Sequence, residues 1–182
     1  MRVREALVWI LTPITAAVCG YLTYVMDTSL MGFVAILFIG LLALWAYYSE
    51  ISHPFAAAYS VYLSIILLHT TATPYVSGYG DAHFEYFFAA EALVSGWNVA
   101  APGLKQSLLS LNVAIPTYKI VSGLTLTETF TYLIPMIVAV TGPVLLLMYR
   151  SITEQVNLAP VLLVAVGSQA LIHGNGTGLT RQ

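Results

Sequence analysis

The stretch that decides the fold is LMGFVAILFIGLLALWAYY, residues Leu30 to Tyr48, which contains no charged side chain. The nearest charged residues on either side are Asp27 and Glu50. An α-helix needs roughly 20 predominantly apolar residues to cross the hydrocarbon core of a bilayer. This stretch therefore predicts a transmembrane helix, and charge-free intervals of similar length locate others.

The composition of the whole chain agrees with a membrane protein. Of its 182 residues, 59% are hydrophobic and 8% are charged, and the mean hydropathy is +0.85. Soluble domains carry about 25% charged residues, so a soluble chain of this composition could not cover its own surface. The six basic and eight acidic side chains form no basic stripe, which argues against a nucleic-acid partner. Cys19 is the single cysteine, and no Cys/His grouping suggests zinc.

We predict an all-α fold, a polytopic transmembrane helix bundle of five or six spans that forms a single membrane domain over residues 1–182. The predicted partner of its outer surface is the lipid bilayer. Pro135 and Pro143 should kink the span that contains them. The predicted spans are Ala6–Val25, Leu30–Tyr48, Phe55–Leu68, Thr129–Tyr149 and Ala159–Ile172, with Leu104–Val121 either spanning or re-entrant because it contains Lys105, Asn112, Pro116 and Lys119.

Two segments between these spans have a different character. Thr70 to Gly80 is rich in turn-forming residues and predicts a loop. Asp81 to Trp97 resumes helical periodicity but carries three acids, which is too many for a span. It therefore predicts an amphipathic helix that lies at the membrane interface and ends near Gly96.

The basic residues predict the orientation of a multi-pass protein of the cell membrane. Arg2 and Arg4 should keep the N-terminus cytoplasmic. Three crossings then place residues 70–103 on the extracytoplasmic side. Beyond residue 104 the sidedness depends on Leu104–Val121: Arg150 lies outside if that segment spans and inside if it is re-entrant.

One cluster of ionisable residues, Asp81, His83 and Glu85, could carry chemistry. Asp81 and Glu85 are four residues apart, so on a helix they share one face. Such a pair of carboxylates can act as a general base or hold a divalent cation such as Mg²⁺ or Mn²⁺. The alternative is structural: Asp81 caps the helix, Glu85 and Glu91 form its wet face, and His83 is a surface side chain.

Several short motifs carry a resemblance to a known superfamily of enzymes. They are Asp81-Ala82-His83-Phe84-Glu85-Tyr86-Phe87-Phe88, Ser107-Leu108-Leu109-Ser110, Ile115-Pro116-Thr117-Tyr118 and Leu179-Thr180-Arg181-Gln182. Together these motifs resemble the GT-C superfamily of membrane glycosyltransferases, and most closely an archaeal group of large integral-membrane proteins within it. The resemblance covers roughly residues 79–182.

The superfamily usually places its acidic loop after the first helix, and this chain departs from that pattern. Residues 1–54 would form two N-terminal spans outside the resemblance, and residues 55–182 the GT-C-like portion. The resemblance also implies further helices beyond Gln182. The expectation is therefore a truncated chain that is inactive alone.

The resemblance implies transfer of a sugar from a polyprenyl- or dolichyl-phosphate donor at the outer membrane face. Asp81 would be the acid of the first outer loop, with Glu85 as its second carboxylate and His83 beside them. Arg150 and Arg181 are candidates for the cation that stabilises the departing lipid phosphate. For Arg150 the alternative is an ordinary anchor at a helix end.

Two other classes of function remain open from the sequence. The chain could be a non-catalytic membrane scaffold, which requires no chemistry from Asp81 or Glu85. It could also be a transporter component, which would be expected to carry ionisable residues inside its spans. The clear spans contain none.

Overall fold

A computed structural model describes residues 3–49, 51–72, 81–96 and 113–174, and every regular element in these ranges is helical. The chain divides into two compact units, Met1–Thr73 with Pro135–Gln182, and Pro74–Ile134. The helices are α1 Val3–Val25, α2 Leu30–Tyr48, α3 Pro54–Ala72, α4 Asp81–Ser95, α5 Ile115–Ser122, α6 Leu126–Glu128, α7 Ile134–Val138, α8 Thr141–Thr153 and α9 Ala159–Gly174, with a π-helical turn at Thr129–Leu133.

Four helices in the described ranges are long and apolar enough to cross a membrane: Arg4–Val25, Leu30–Tyr48, Pro54–Ala72 and Leu126–Thr153. The all-helical prediction is therefore confirmed, and four of the five or six predicted spans have spanning length. α9 has 16 residues. Of the ambiguous segment Leu104–Val121, residues 104–112 lie outside the described ranges, and the remainder falls within the π turn at 113–114 and the 8-residue helix α5.

α3 lies at the centre of the first unit. Over an 18-residue stretch of each helix, 72% of the residues are buried in α3, against 28% in α1 and 22% in α2. α1, α2, α8 and α9 all pack against α3. The outward faces of α1 and α2 are large exposed apolar side chains, which in a bilayer would contact lipid.

α1 and α3 run parallel and are joined by hydroxyl groups of α3. The Ser60 hydroxyl donates to the carbonyl of Trp9 at 2.6 Å, and the Thr71 hydroxyl donates to the carbonyl of Ala17 at 3.0 Å. Small residues allow these backbones to approach closely, as they do in helix pairs of membrane proteins. The closest approach is at Gly20, where a β-carbon would lie less than 3.0 Å from the Leu68 carbonyl oxygen.

The helix from Leu126 to Thr153 departs from regular α-helical geometry ahead of Pro135 and Pro143, the two prolines expected to kink it. The π-helical turn Thr129–Leu133 precedes Pro135, and the turn at residues 139–140 precedes Pro143. Proline lacks an N–H, so the carbonyl four residues earlier loses its usual donor. At the turn before Pro143, the Ala139 carbonyl accepts instead from the Gly142 N–H at 3.0 Å.

A contact between α3 and this helix lies next to the turn at residues 139–140. The Val140 N–H donates to Ile137 at 3.3 Å, and the Met136 carbonyl accepts from the Tyr59 hydroxyl at 2.9 Å. Gly142 permits close packing here, since a β-carbon on it would clash with the Ala58 carbonyl. α3 is thus fixed on this side by a hydrogen bond and by a glycine contact.

The second unit has a small core of its own. Ala89 of α4 packs with Ile115, Leu126 and Phe130, all of them buried. α5 ends at Gly123, which adopts the left-handed conformation that glycine tolerates. The N-terminus of α6 carries a reciprocal cap: the Thr125 hydroxyl accepts from the Glu128 N–H, and the Glu128 carboxylate accepts from the Thr125 N–H.

Candidate functional site

The predicted acidic helix forms, and it begins at Asp81. α4 runs from Asp81 to Ser95, and Gly96 follows it with a φ of 73°, as expected for the glycine predicted to end it. Asp81 and Glu85 occupy positions one helical turn apart, and His83 lies between them in sequence. The side chains of residues 81–85 lie outside the description, so both roles considered for this cluster, chemical and structural, remain predictions.

The remainder of α4 shows how this helix is held in the second unit. The Tyr86 hydroxyl lies 3.3 Å from the Thr127 hydroxyl, within hydrogen-bonding distance. The Tyr86 ring also packs against that of Phe130, with 5.8 Å between ring centroids. Because Tyr86 directly follows Glu85, these two contacts fix the rotation of α4 next to the acids.

Glu91, the third acid of this helix, is exposed. It lies six residues beyond Glu85, on the same α4 helix. Its exposure agrees with the prediction that Glu91 lies on the solvent-facing side of this helix. It also makes Glu91 a control position for experiments on Asp81 and Glu85.

The two candidate phosphate-binding cations are Arg150 and Arg181. Arg150 is exposed in the last turn of α8, in the first unit, whereas Asp81 belongs to the second. This environment fits a helix-end anchor. Arg181 lies outside the described residues.

No group of three or more His, Cys, Asp or Glu residues in the described part of the chain could hold a metal ion. The side chains of Asp81, His83 and Glu85 lie outside that part. Carboxylate oxygens are the ligand type that Mg²⁺ and Mn²⁺ prefer. The two acids therefore fit such a cation by donor chemistry alone.

A polar contact that sequence reasoning missed lies at the opposite end of the chain. Glu5 is only 8% exposed, and its carboxylate accepts from the Ser52 N–H at 2.9 Å and the His53 N–H at 3.4 Å. These donors immediately precede α3, so Glu5 caps that helix from the first turn of α1. A negative charge is stabilised at helix N-termini, and here two parallel helices begin beside one carboxylate. The sequence signal for this contact is the Ser52-His53-Pro54 turn that precedes α3. That turn does not by itself identify Glu5 as the capping acid.

A groove lies between the end of α2 and the start of α9. Its volume is about 260 Å³, and it is lined by Gly40, Ala43, Leu44, Tyr47, Tyr48, Asn157, Ala159 and Leu162. The groove shows that the α8–α9 connection lies at the same end of the first unit as the α2–α3 connection. Arg150 is therefore at the same end as Arg4, and Asp27, in the α1–α2 turn, is at the other.

Comparison with known protein families, with curated proteins and with solved structures finds no match to this chain. The functional argument therefore depends on the residues and geometry described above.

Proposed function

We propose that this chain resides in the cell membrane with its N-terminal end in the cytoplasm and residues 70–103 outside. The distribution of basic residues supports this orientation. Arg4 and Arg150 lie at one end of the first unit, and Asp27 lies at the other. Cytoplasmic segments of membrane proteins carry an excess of Lys and Arg. The same arrangement supports the alternative in which Leu104–Val121 does not span.

We further propose that α4 supplies the acids of a GT-C-type glycosyltransferase, which transfers a sugar from a polyprenyl- or dolichyl-phosphate donor. The observation that carries this proposal is that Asp81 and Glu85 both lie in the N-terminal part of the helix α4. Asp81 and Glu85 therefore stand one turn apart on a helix that Tyr86 holds in place. Their spacing suits two carboxylates that act on one substrate.

The proposed chemistry is an inverting substitution at the anomeric carbon of the donor sugar. The acceptor hydroxyl oxygen attacks that carbon as its proton passes to a carboxylate of Asp81 or Glu85. The bond from the carbon to the phosphate oxygen breaks, and the lipid phosphate leaves with the electron pair. A divalent cation or an arginine would stabilise the charge that develops on the phosphate.

Chromosomal substitution in the cell that carries the gene tests this proposal in the protein's own setting. Membranes from cells with Asp81→Asn or Glu85→Gln are incubated with radiolabelled polyprenyl-phosphate hexose, and label in the acceptor fraction is measured. A positioned general base contributes about 100-fold or more to rate. We therefore expect either substitution to reduce chain-dependent incorporation by a factor of that order.

Glu91→Gln is the matched control, because Glu91 is an exposed acid on the same helix. It should leave incorporation at the wild-type rate. If Asp81→Asn and Glu85→Gln also transfer label at the wild-type rate, the two acids have no catalytic role.

The second candidate function is a non-catalytic membrane scaffold. It is favoured by one observation: the most extensive helix contact in the first unit, between α1 and α3, serves helix packing. In the four spanning-length helices, the charged residues Arg4, Glu5, Glu128 and Arg150 lie in first or last turns, which does not favour a transport pathway. A scaffold would leave label incorporation insensitive to all three acid substitutions.

A further inference from the structure

Tyr86 joins the N-terminal part of α4 to one face of the helix that begins at Leu126. The Tyr86 hydroxyl lies 3.3 Å from that of Thr127, and the Tyr86 ring centroid lies 5.8 Å from that of Phe130. Thr127 and Phe130 are three residues apart, so they are neighbours on one face of their helix. The ring contact and the hydroxyl contact lie at different distances from the axis of α4, so together they resist its rotation more than either contact alone.

Both partners of Tyr86 are held by structure outside α4. Thr127 lies in α6, whose N-terminus carries the reciprocal cap. Phe130 is 2% exposed and lies in the π-helical turn Thr129–Leu133. Such turns are rare and are frequent at functional sites. The surface against which Tyr86 packs is therefore fixed by its own cap and its own turn.

The rotation of α4 determines where its acid positions stand. The packed face of this helix consists of Tyr86, Ala89, Ala90 and Leu93. Its exposed face includes Phe87, Glu91 and Val94. With 3.6 residues per turn, positions 81 and 85 fall on neither face, but on the row that continues through the half-buried Phe88 and Ala92. Rotation of α4 about its axis would therefore move these positions towards the packed face or towards the exposed face.

We propose that Tyr86 and Thr127 are positioning residues for sugar transfer, and that their hydroxyl contact sets the rotation of α4 at which Glu85 acts on the substrate. This inference rests on the proposed function of α4. Neither hydroxyl takes part in the reaction itself. A misplacement of about 1 Å can lower the rate of an enzyme by about 100-fold, so a small rotation of α4 has a measurable effect.

Tyr86→Phe and Thr127→Val each remove one hydroxyl and nearly preserve the shape of the side chain. Membranes from cells with these chromosomal substitutions are incubated with radiolabelled polyprenyl-phosphate hexose, and incorporation per molecule of the chain is measured against donor concentration. We expect a maximal rate about tenfold lower in each variant and in the double variant, with an unchanged KM for the donor.

Two control substitutions are matched to these variants. Thr127→Ser keeps the hydroxyl and should transfer label at the wild-type rate. Tyr132→Phe removes the hydroxyl of a tyrosine that is 44% exposed in the same unit, and it should also transfer label at the wild-type rate.

The Glu85→Gln background separates positioning from stability. If Tyr86 acts through Glu85, the double variant Glu85→Gln/Tyr86→Phe should be no slower than Glu85→Gln alone. A purely stabilising role would lower the rate by the same factor in both backgrounds, and that result would overturn the proposal.

The acid variants distinguish failure of this inference from failure of the proposed function. Wild-type rates in Tyr86→Phe and Thr127→Val, in an assay where Asp81→Asn and Glu85→Gln lose label, would overturn the positioning role and leave the proposed function intact. Wild-type incorporation by both acid variants would overturn the proposed function and this inference together.

Discussion

The carbonyl oxygen of Leu68 lies against the α-carbon of Gly20, and a β-carbon at Gly20 would approach that oxygen to less than 3.0 Å. The hydroxyl of Thr71 closes the same space and donates to the carbonyl of Ala17. The parallel packing of α1 against α3 thus depends on a position where only glycine fits.

Gly20→Ala should therefore destabilise the first unit. Overpacking of a close contact costs about 1–3 kcal/mol, which outweighs the gain of about 0.5–1 kcal/mol that alanine brings to a helix interior. Unfolding by SDS in mixed micelles measures the change. Gly40→Ala is the control, because its β-carbon meets no neighbour, and it should leave stability unchanged or slightly raised. Equal stability of the two variants would contradict the close contact.

Ser60→Ala should weaken the same helix pair by a smaller amount. The Ser60 hydroxyl bonds to Trp9 on α1, whereas that of Ser64 bonds within α3, to the Ser60 carbonyl. Hydrogen bonds between helices of membrane proteins contribute about 0.6 kcal/mol on average. We expect a loss of this order for Ser60→Ala and a smaller one for the buried control Ser64→Ala, both by SDS unfolding. A larger loss of stability in Ser64→Ala than in Ser60→Ala would contradict this prediction, because the stabilising hydrogen bond would then lie within α3.

Glu5→Ala should loosen the start of α3. Loss of a capping side chain costs about 0.5–2 kcal/mol, and the Ser52 and His53 N–H groups would lose their shared acceptor. Glu5→Gln keeps an acceptor oxygen and should lose less. The exposed Glu91→Ala provides the control, and hydrogen exchange at residues 52–57 the measurement. Unchanged protection there in Glu5→Ala would contradict the cap.

Tyr86→Phe should loosen α4 while keeping the ring contact with Phe130. A hydrogen bond contributes about 0.5–1.5 kcal/mol, so amide protection in α4 should fall by roughly two- to tenfold. Thr127→Val removes the other partner of the same bond. The double variant should therefore be no less protected than either single one. Additive losses would show that the two hydroxyls do not act together.

Helix ends in this chain could be predicted where charge or glycine determines them. The predicted ends Val25, Leu30 and Tyr48 are those observed, and Gly96 follows α4 as expected. α3 was predicted to end at Leu68 because Thr70 and Thr71 resemble loop residues, but it continues to Ala72. The Thr71 hydroxyl bonds to carbonyls of Leu67 and Ala17, so the helix and its neighbour satisfy it.

The central position of α3 could not be predicted from hydropathy. α3 is the most buried of the spanning-length helices but not the most apolar, because a bilayer would itself provide an apolar surround for the exposed side chains of α2. The available signal was its small and hydroxyl-bearing residues, such as Ala57, Ala58 and Ser60, which permit close packing. The acids of the candidate site were identified by spacing alone, and their role stays a prediction.

Cysteine accessibility tests most directly whether this bundle crosses a membrane with its two ends on opposite sides. Single cysteines are placed at the exposed positions Ser29, His53 and Gln155 in a Cys19→Ala background. Intact cells are treated with a membrane-impermeant maleimide, before and after permeabilisation. We predict that position 29 reacts in intact cells and that positions 53 and 155 react only after permeabilisation. Labelling of 29 and 53 from the same side would contradict the account.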